Sequence, residues 1–94
     1  MDISFDPKKS QRNEERRGLS FEEAADFDLE HALVVVDDRR DYGERRYRAL
    51  GMLGDKLHAL AFTETARGIR VISLRRANKR ERRHYEQSKA AAKP

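Results

Sequence analysis

The sequence predicts an α+β fold in one domain, residues 1–94: two N-terminal helices, a four-stranded antiparallel sheet and a C-terminal helix. Three observations carry this. The apolar residues concentrate between Leu29 and Leu74, in short β-branched runs separated by glycine-bearing turns. Two capping-box patterns, Ser20–Glu23 and Asn78–Glu81, mark helix starts on either side of those runs. Length is the third, because 94 residues suit one small domain. The expected division is helical over 1–29, sheet over 30–76, and a basic helix and tail over 77–94.

Ile3–Phe5 can form a short edge strand. Asp6-Pro7 then starts a helix, because Asp6 can cap it and proline at the first helical position loses no hydrogen bond. That helix, Pro7–Arg17, lacks an apolar stripe, so charge pairs and aliphatic stems must hold it. Gly18 ends it. Phe21, Ala25 and Leu29 at four-residue spacing predict a short amphipathic helix over about Phe21–Phe27. Strands are expected at His31–Val36, Arg45–Leu53, Lys56–Glu64 and from Ile69 to Leu74, with Asp37–Glu44, Gly54-Asp55 and Thr65–Gly68 as turns. The last helix should run from Lys79 to Lys93, docked through Tyr85 and arginine stems or partly free until a partner arrives.

A three-residue loop, Ala66-Arg67-Gly68, with a glycine bulge sets a register for the last hairpin. It places Glu64 opposite Arg70, Phe62 opposite Ile72, Leu60 opposite Leu74 and His58 opposite Arg76. A slip of one residue would exchange the two faces.

Only 37% of residues are hydrophobic and 40% are charged, a thin core that a covering partner would stabilise. Twenty-one basic residues against seventeen acidic ones leave a net charge of +4, concentrated in the C-terminal third. Nucleic acid or an acidic protein is the partner this implies. With no cysteine, disulfides and thiolate metal sites are excluded. No apolar run is long enough to cross a bilayer and no signal-peptide core is present, so a soluble, cytoplasmic protein without membrane contact is expected.

The densest signal is the cationic run Arg75, Arg76, Lys79, Arg80, Arg82 and Arg83, interrupted by Glu81. Guanidinium forks match phosphate geometry, and like charge at this density asks for an anionic partner. RNA cleavage without a metal needs a base for the 2′-hydroxyl, cations around the phosphorane and an acid for the leaving oxygen. Glu64 can be the base, Arg70 with Arg75 or Arg76 the clamp, and Tyr85 or His58 the acid. An ordinary cross-strand ion pair would use Glu64 and Arg70 equally well. His31 and His84 stand apart, and no histidine pair has metal-binding spacing. No cofactor is expected, since glycine-rich phosphate loops, nucleophile elbows and zinc patterns are absent.

Several stretches match a known family in order: Phe5-Asp6-Pro7-Lys8-Lys9, Gly18-Leu19-Ser20-Phe21-Glu22-Glu23-Ala24 and Asp41-Tyr42-Gly43-Glu44-Arg45-Arg46. Ala49-Leu50-Gly51, Thr63-Glu64, Ile69–Ser73, Arg75-Arg76-Ala77, Arg80-Glu81-Arg82-Arg83 and Tyr85-Glu86 follow. The chain resembles the BrnT family of bacterial type II toxins over nearly its whole length. The resemblance implies a RelE-like fold, metal-independent RNA endonuclease activity that inhibits translation, and a cognate antitoxin, encoded adjacently and DNA-binding. It supports Glu64, Arg70, Arg75 and Arg76 as functional positions. Tyr85 is a further catalytic candidate, and Lys8, Arg17, Lys79, Arg80, Arg82 and Arg83 are the expected RNA contacts. The family pattern has Lys-His-Gly where this chain has Arg16-Arg17-Gly18. Arginine cannot give up its proton, so Glu64 is left as the candidate base and activity could be weak. The rival reading is a non-catalytic RNA- or ribosome-binding module that uses the same basic patch.

Overall fold

The computed structural model describes residues 1–92. Its order is β1 (Asp2–Ser4), α1 (Pro7–Arg17), a 3-10 helix (Phe21–Asp26), β2 (Leu33–Asp37), β3 (Arg46–Leu53), β4 (Lys56–Glu64), β5 (Gly68–Arg76) and α2 (Lys79–Ala91). The fold is α+β, as expected, but the sheet has five strands in the order β1-β5-β4-β3-β2. The strand expected at Ile3–Phe5 lies one residue earlier and joins the sheet, parallel to β5. Gly68 makes room for it: a Cβ there would collide with the carbonyl oxygen of Asp2. The helix expected to reach Lys93 is described to Ala91, and Lys93 lies outside the described residues.

The second N-terminal helix is corrected to a 3-10 helix. Its buried residues, Phe21 and Ala24, and Phe27 just beyond it recur every third position, which matches three residues per turn rather than 3.6. Ala25, placed on the apolar face by the four-residue spacing, is exposed. The Ser20–Glu23 capping box forms as expected.

The hairpin register is half right. His58 faces Arg76 and Leu60 faces Leu74, but a bulge beside Ala61 and Phe62 shifts the rest. Phe62 therefore faces Val71, Thr63 faces Arg70, and Glu64 faces Ile69 rather than Arg70. The extra residue turns Val71 and Ile69 into the core, where both are buried. Gly68 does not have a positive φ, so the glycine bulge expected at the turn does not form. At the other hairpin Gly54 has φ +64 and Asp55 does not go positive, the pattern of a type II′ turn.

One face of the sheet carries the core. Phe21, Ala24 and Phe27 pack on Ala49, Leu60, Phe62, Ile69, Val71 and Leu74. Though it lacks an apolar stripe, α1 covers this same face. Polar groups fix it: Ser10, its one buried residue, accepts from the Phe21 amide at 2.8 Å. The Asn13 amide donates to the carbonyls of Leu19 and Leu74, both at 2.8 Å. Substituting Asn13→Ala strands those two carbonyls and is expected to cost about 1–3 kcal/mol, read as a lower urea midpoint at unchanged slope.

Candidate nucleic-acid interface

Strand alternation turns a second set of side chains away from α1. Val35 pairs with Arg48, Leu50 with Ala59, and Ala61 with Ser73, which puts all of them on the uncovered face. α2 begins where β5 ends and overhangs this face. Its first turn is pinned firmly. Asn78 accepts from the Glu81 amide at 2.8 Å, Glu81 accepts from the Asn78 amide at 3.0 Å, and Arg75 grips both Glu81 oxygens at 2.7 and 2.9 Å. The Arg82 guanidinium donates to the Ala77 carbonyl at 3.0 Å. Beyond that turn α2 buries no residue, and the Lys89 ammonium reaches the His31 carbonyl at 2.6 Å.

Between α2 and the sheet lies a groove of about 510 Å³. Its floor is apolar and small: Leu33, Val35, Leu50, Ala59, Ala61. Its rim carries Arg39, Arg48, Arg75, Arg80 and His84 against one carboxylate, Glu81. Glu81 is held below the usual carboxylate range, chiefly by its hydrogen bonds from Arg75, so it orients that guanidinium and is a poor proton carrier.

Asp37 supports the other wall. It is buried at the end of β2 and takes two 2.8 Å bonds from Arg39, with the Tyr42 hydroxyl at 3.3 Å and Arg48 Nε at 4.0 Å. The bonds from Arg39 hold the Asp37 carboxyl well below its ordinary value. A carboxylate stabilised in the fold contributes fully above its unfolded pKa, about 3.9, and loses that contribution as pH falls below it. Asp37→Asn should therefore flatten the acid limb of a stability–pH profile below about pH 4. The measurement is denaturant midpoint against pH, and an unchanged limb would refute the role.

A second concavity, about 500 Å³, opens at the other end of the sheet, lined by Glu44, Arg45, Tyr47, Thr63, Glu64, Thr65 and Arg70. Here two carboxylates balance two guanidiniums. Arg70 binds both oxygens of Glu44, at 2.9 and 2.8 Å, and the Tyr47 hydroxyl donates to Glu64 at 2.9 Å. That bond to the carboxylate raises the Tyr47 pKa.

The five residues expected to act together are thus divided. Glu64 and Arg70 share the second concavity, each engaged by another partner. Arg75 lines the groove. Arg76, in register with buried His58, lines neither. Tyr85, half-buried on α2 with the Lys89 ammonium 5.5 Å from its ring, also lines neither. Arg80 reaches the groove; Lys79, Arg82 and Arg83 lie elsewhere on α2, exposed. Lys8 and Arg17 belong to α1, across the sheet from the groove.

Arg39, Arg48 and His84 are groove residues to which the sequence assigns no role. Arg80 and His84 are four apart on one helix, and that spacing puts them on one side. Arg48 and Arg39 carried no local signal, because only the pairing of β2 with β3 brings them together.

The family model described as the ribonuclease toxin, BrnT, of type II toxin–antitoxin systems matches residues 5–81. The chain belongs to the BrnT toxin family. A BrnT toxin is a ribonuclease toxin with a cognate antitoxin as its partner. The matched span takes in Arg39, Arg48, Arg75, Arg80 and Glu81 and stops short of His84 and Tyr85. No curated protein matches the chain. Among the described residues, no helix is long and apolar enough to cross a membrane. Nor does any group of three or more His, Cys, Asp or Glu side chains stand together as a metal site.

Proposed function

We propose that this BrnT toxin is an endoribonuclease that cuts RNA in the groove beneath α2, without a metal, and thereby stops translation. The carrying observation is four guanidiniums facing one concavity that holds a single, already paired carboxylate. A polyanion gains there and loses little. The second concavity, with equal numbers of acids and bases, offers no such preference.

In this reading Arg48 and Arg75 hold the non-bridging oxygens as charge builds on the phosphorane, and Arg39 and Arg80 hold the flanking phosphates. The Arg75 fork is preset by Glu81, and that of Arg39 by Asp37. His84, the one histidine on the rim, takes the 2′-hydroxyl proton as that oxygen bonds to phosphorus and delivers it to the 5′-oxygen as the phosphorus–5′-oxygen bond breaks. Lys79, Arg82 and Arg83 extend the cationic track along α2. Glu64, Arg70, Arg76 and Tyr85 lie outside the cleavage point.

The test is purified protein with single-stranded RNA in EDTA. Cleavage should persist in the chelator. Affinity should fall by about 10²-fold between 50 and 200 mM salt if about four phosphates are contacted. A cell-free translation reaction given the protein should stop as its messenger is cut. Binding without cleavage would replace the enzyme by a non-catalytic RNA-binding module on the same patch.

A further inference from the structure

β2 is an edge strand, and it is bare. Val34, Val35 and Val36 are 44, 51 and 46% exposed, three consecutive apolar residues on an unpaired edge. Soluble proteins ordinarily blunt such edges with lysine, proline or a bulge. None of these interrupts Leu33–Asp37. The opposite edge, β1, is only three residues long.

The edge is also flanked by two concavities, one on each face of the sheet. Leu33 and Val35 border the cationic groove. Val34 borders a third concavity of about 450 Å³, mostly apolar, with Leu29, Tyr47, Phe62 and Ile69 in its lining. A strand laid along β2 would send alternate side chains into each.

We propose that an extended segment of the antitoxin adds to the sheet as a sixth strand beside β2. This rests on the family's antitoxin partnership and not on where RNA is cut. The segment alternates acidic and apolar residues. Those on the groove side meet Arg39 and Arg48, the latter one strand away and roughly 10 Å across, within reach of two extended side chains. Those on the other side are apolar and cover Val34 and Val36. A second copy of this chain fits less well. At groove-facing positions its own β2 offers Leu33, Val35 and Asp37, and that aspartate is buried against its own Arg39. Its Arg39 and Arg48 would approach their counterparts with like charge.

Amide hydrogen exchange of the full chain, alone and with the cognate antitoxin, is the first measurement. Amides of Leu33–Asp37 should slow on binding; protection confined to α2 or α1 would overturn the proposal. The second uses Val34→Lys together with Val36→Lys, which lie on the face away from the groove. Antitoxin affinity should fall by about 10²-fold, as for loss of a central contact, while cleavage by the free variant stays within about twofold of wild type by the same arithmetic. Unaltered neutralisation of the variant overturns the inference. A free-chain dimer abolished by the same two substitutions assigns the edge to a second copy and also overturns it. The exchange experiment needs no variant, so a misfolded double mutant does not blunt the test. Absence of ribonuclease activity in wild type would count against the cleavage reading alone.

Discussion

Arg48→Ala is expected to lower RNA cleavage by about 10²–10³-fold, the usual cost of deleting one donor to a developing oxyanion. Arg48 is suited to the test because it stands on β3 over the groove and its ion contact with Asp37 is long, 4.0 Å. The buried Asp37 carboxylate keeps its two 2.8 Å bonds from Arg39 when Arg48 is removed, so the melting temperature should barely move. The loss should appear in kcat more than in KM. Arg70→Ala is the control. Its guanidinium is bound to Glu44 in the charge-balanced concavity, away from the groove, so cleavage should fall less than about tenfold, under about 1.4 kcal/mol of transition-state stabilisation. If instead Arg70→Ala abolishes cleavage and Arg48→Ala does not, the scissile phosphate rests beside Glu64 and the groove assignment is lost.

The largest loss of stability is expected at Phe21. It is 2% exposed, packs edge-on against Phe5 with ring centroids 6.0 Å apart, and is the main apolar anchor of the 3-10 helix. Its backbone amide bonds Ser10, which ties α1 to the 3-10 helix that the Phe21 ring anchors. Phe21→Ala should cost about 3–5 kcal/mol. Small domains hold about 5–15 kcal/mol in all, and this core is thin. A large part of the population should be unfolded at physiological temperature, and the denaturant midpoint should drop accordingly. Antitoxin binding should recover part of the loss, because a partner specific for the folded form stabilises by mass action. A stability within about 0.5 kcal/mol of wild type, the range of an ordinary surface change, would show that the 3-10 helix does not anchor this face.

What could be read directly from the residues was whatever short-range chemistry decides. Asp6-Pro7 and Gly18 bound α1 as expected, with Gly18 at φ +71. Both capping boxes form. β4 runs from Lys56 to Glu64 as expected, because Gly54-Asp55 makes a type II′ turn before it. The basic character of α2 is equally plain in the sequence, and α2 buries no residue. The BrnT resemblance also rested on local motifs, and the family match covers them up to Glu81.

Long-range pairing decided the remainder. An edge strand is expected at Ile3–Phe5, but its parallel pairing with β5, and so the fifth strand of the sheet, depends on the space that Gly68 leaves. One bulged residue in the last hairpin changed which side chains face the core and parted Glu64 from Arg70. The groove draws side chains from β2, β3, β4, β5 and α2, segments far apart in the chain. Residue types and turn chemistry set the elements, since their energies act over a few neighbouring positions. Which arginines line one groove depends on strand order and register, and those follow only from the packing of the whole sheet.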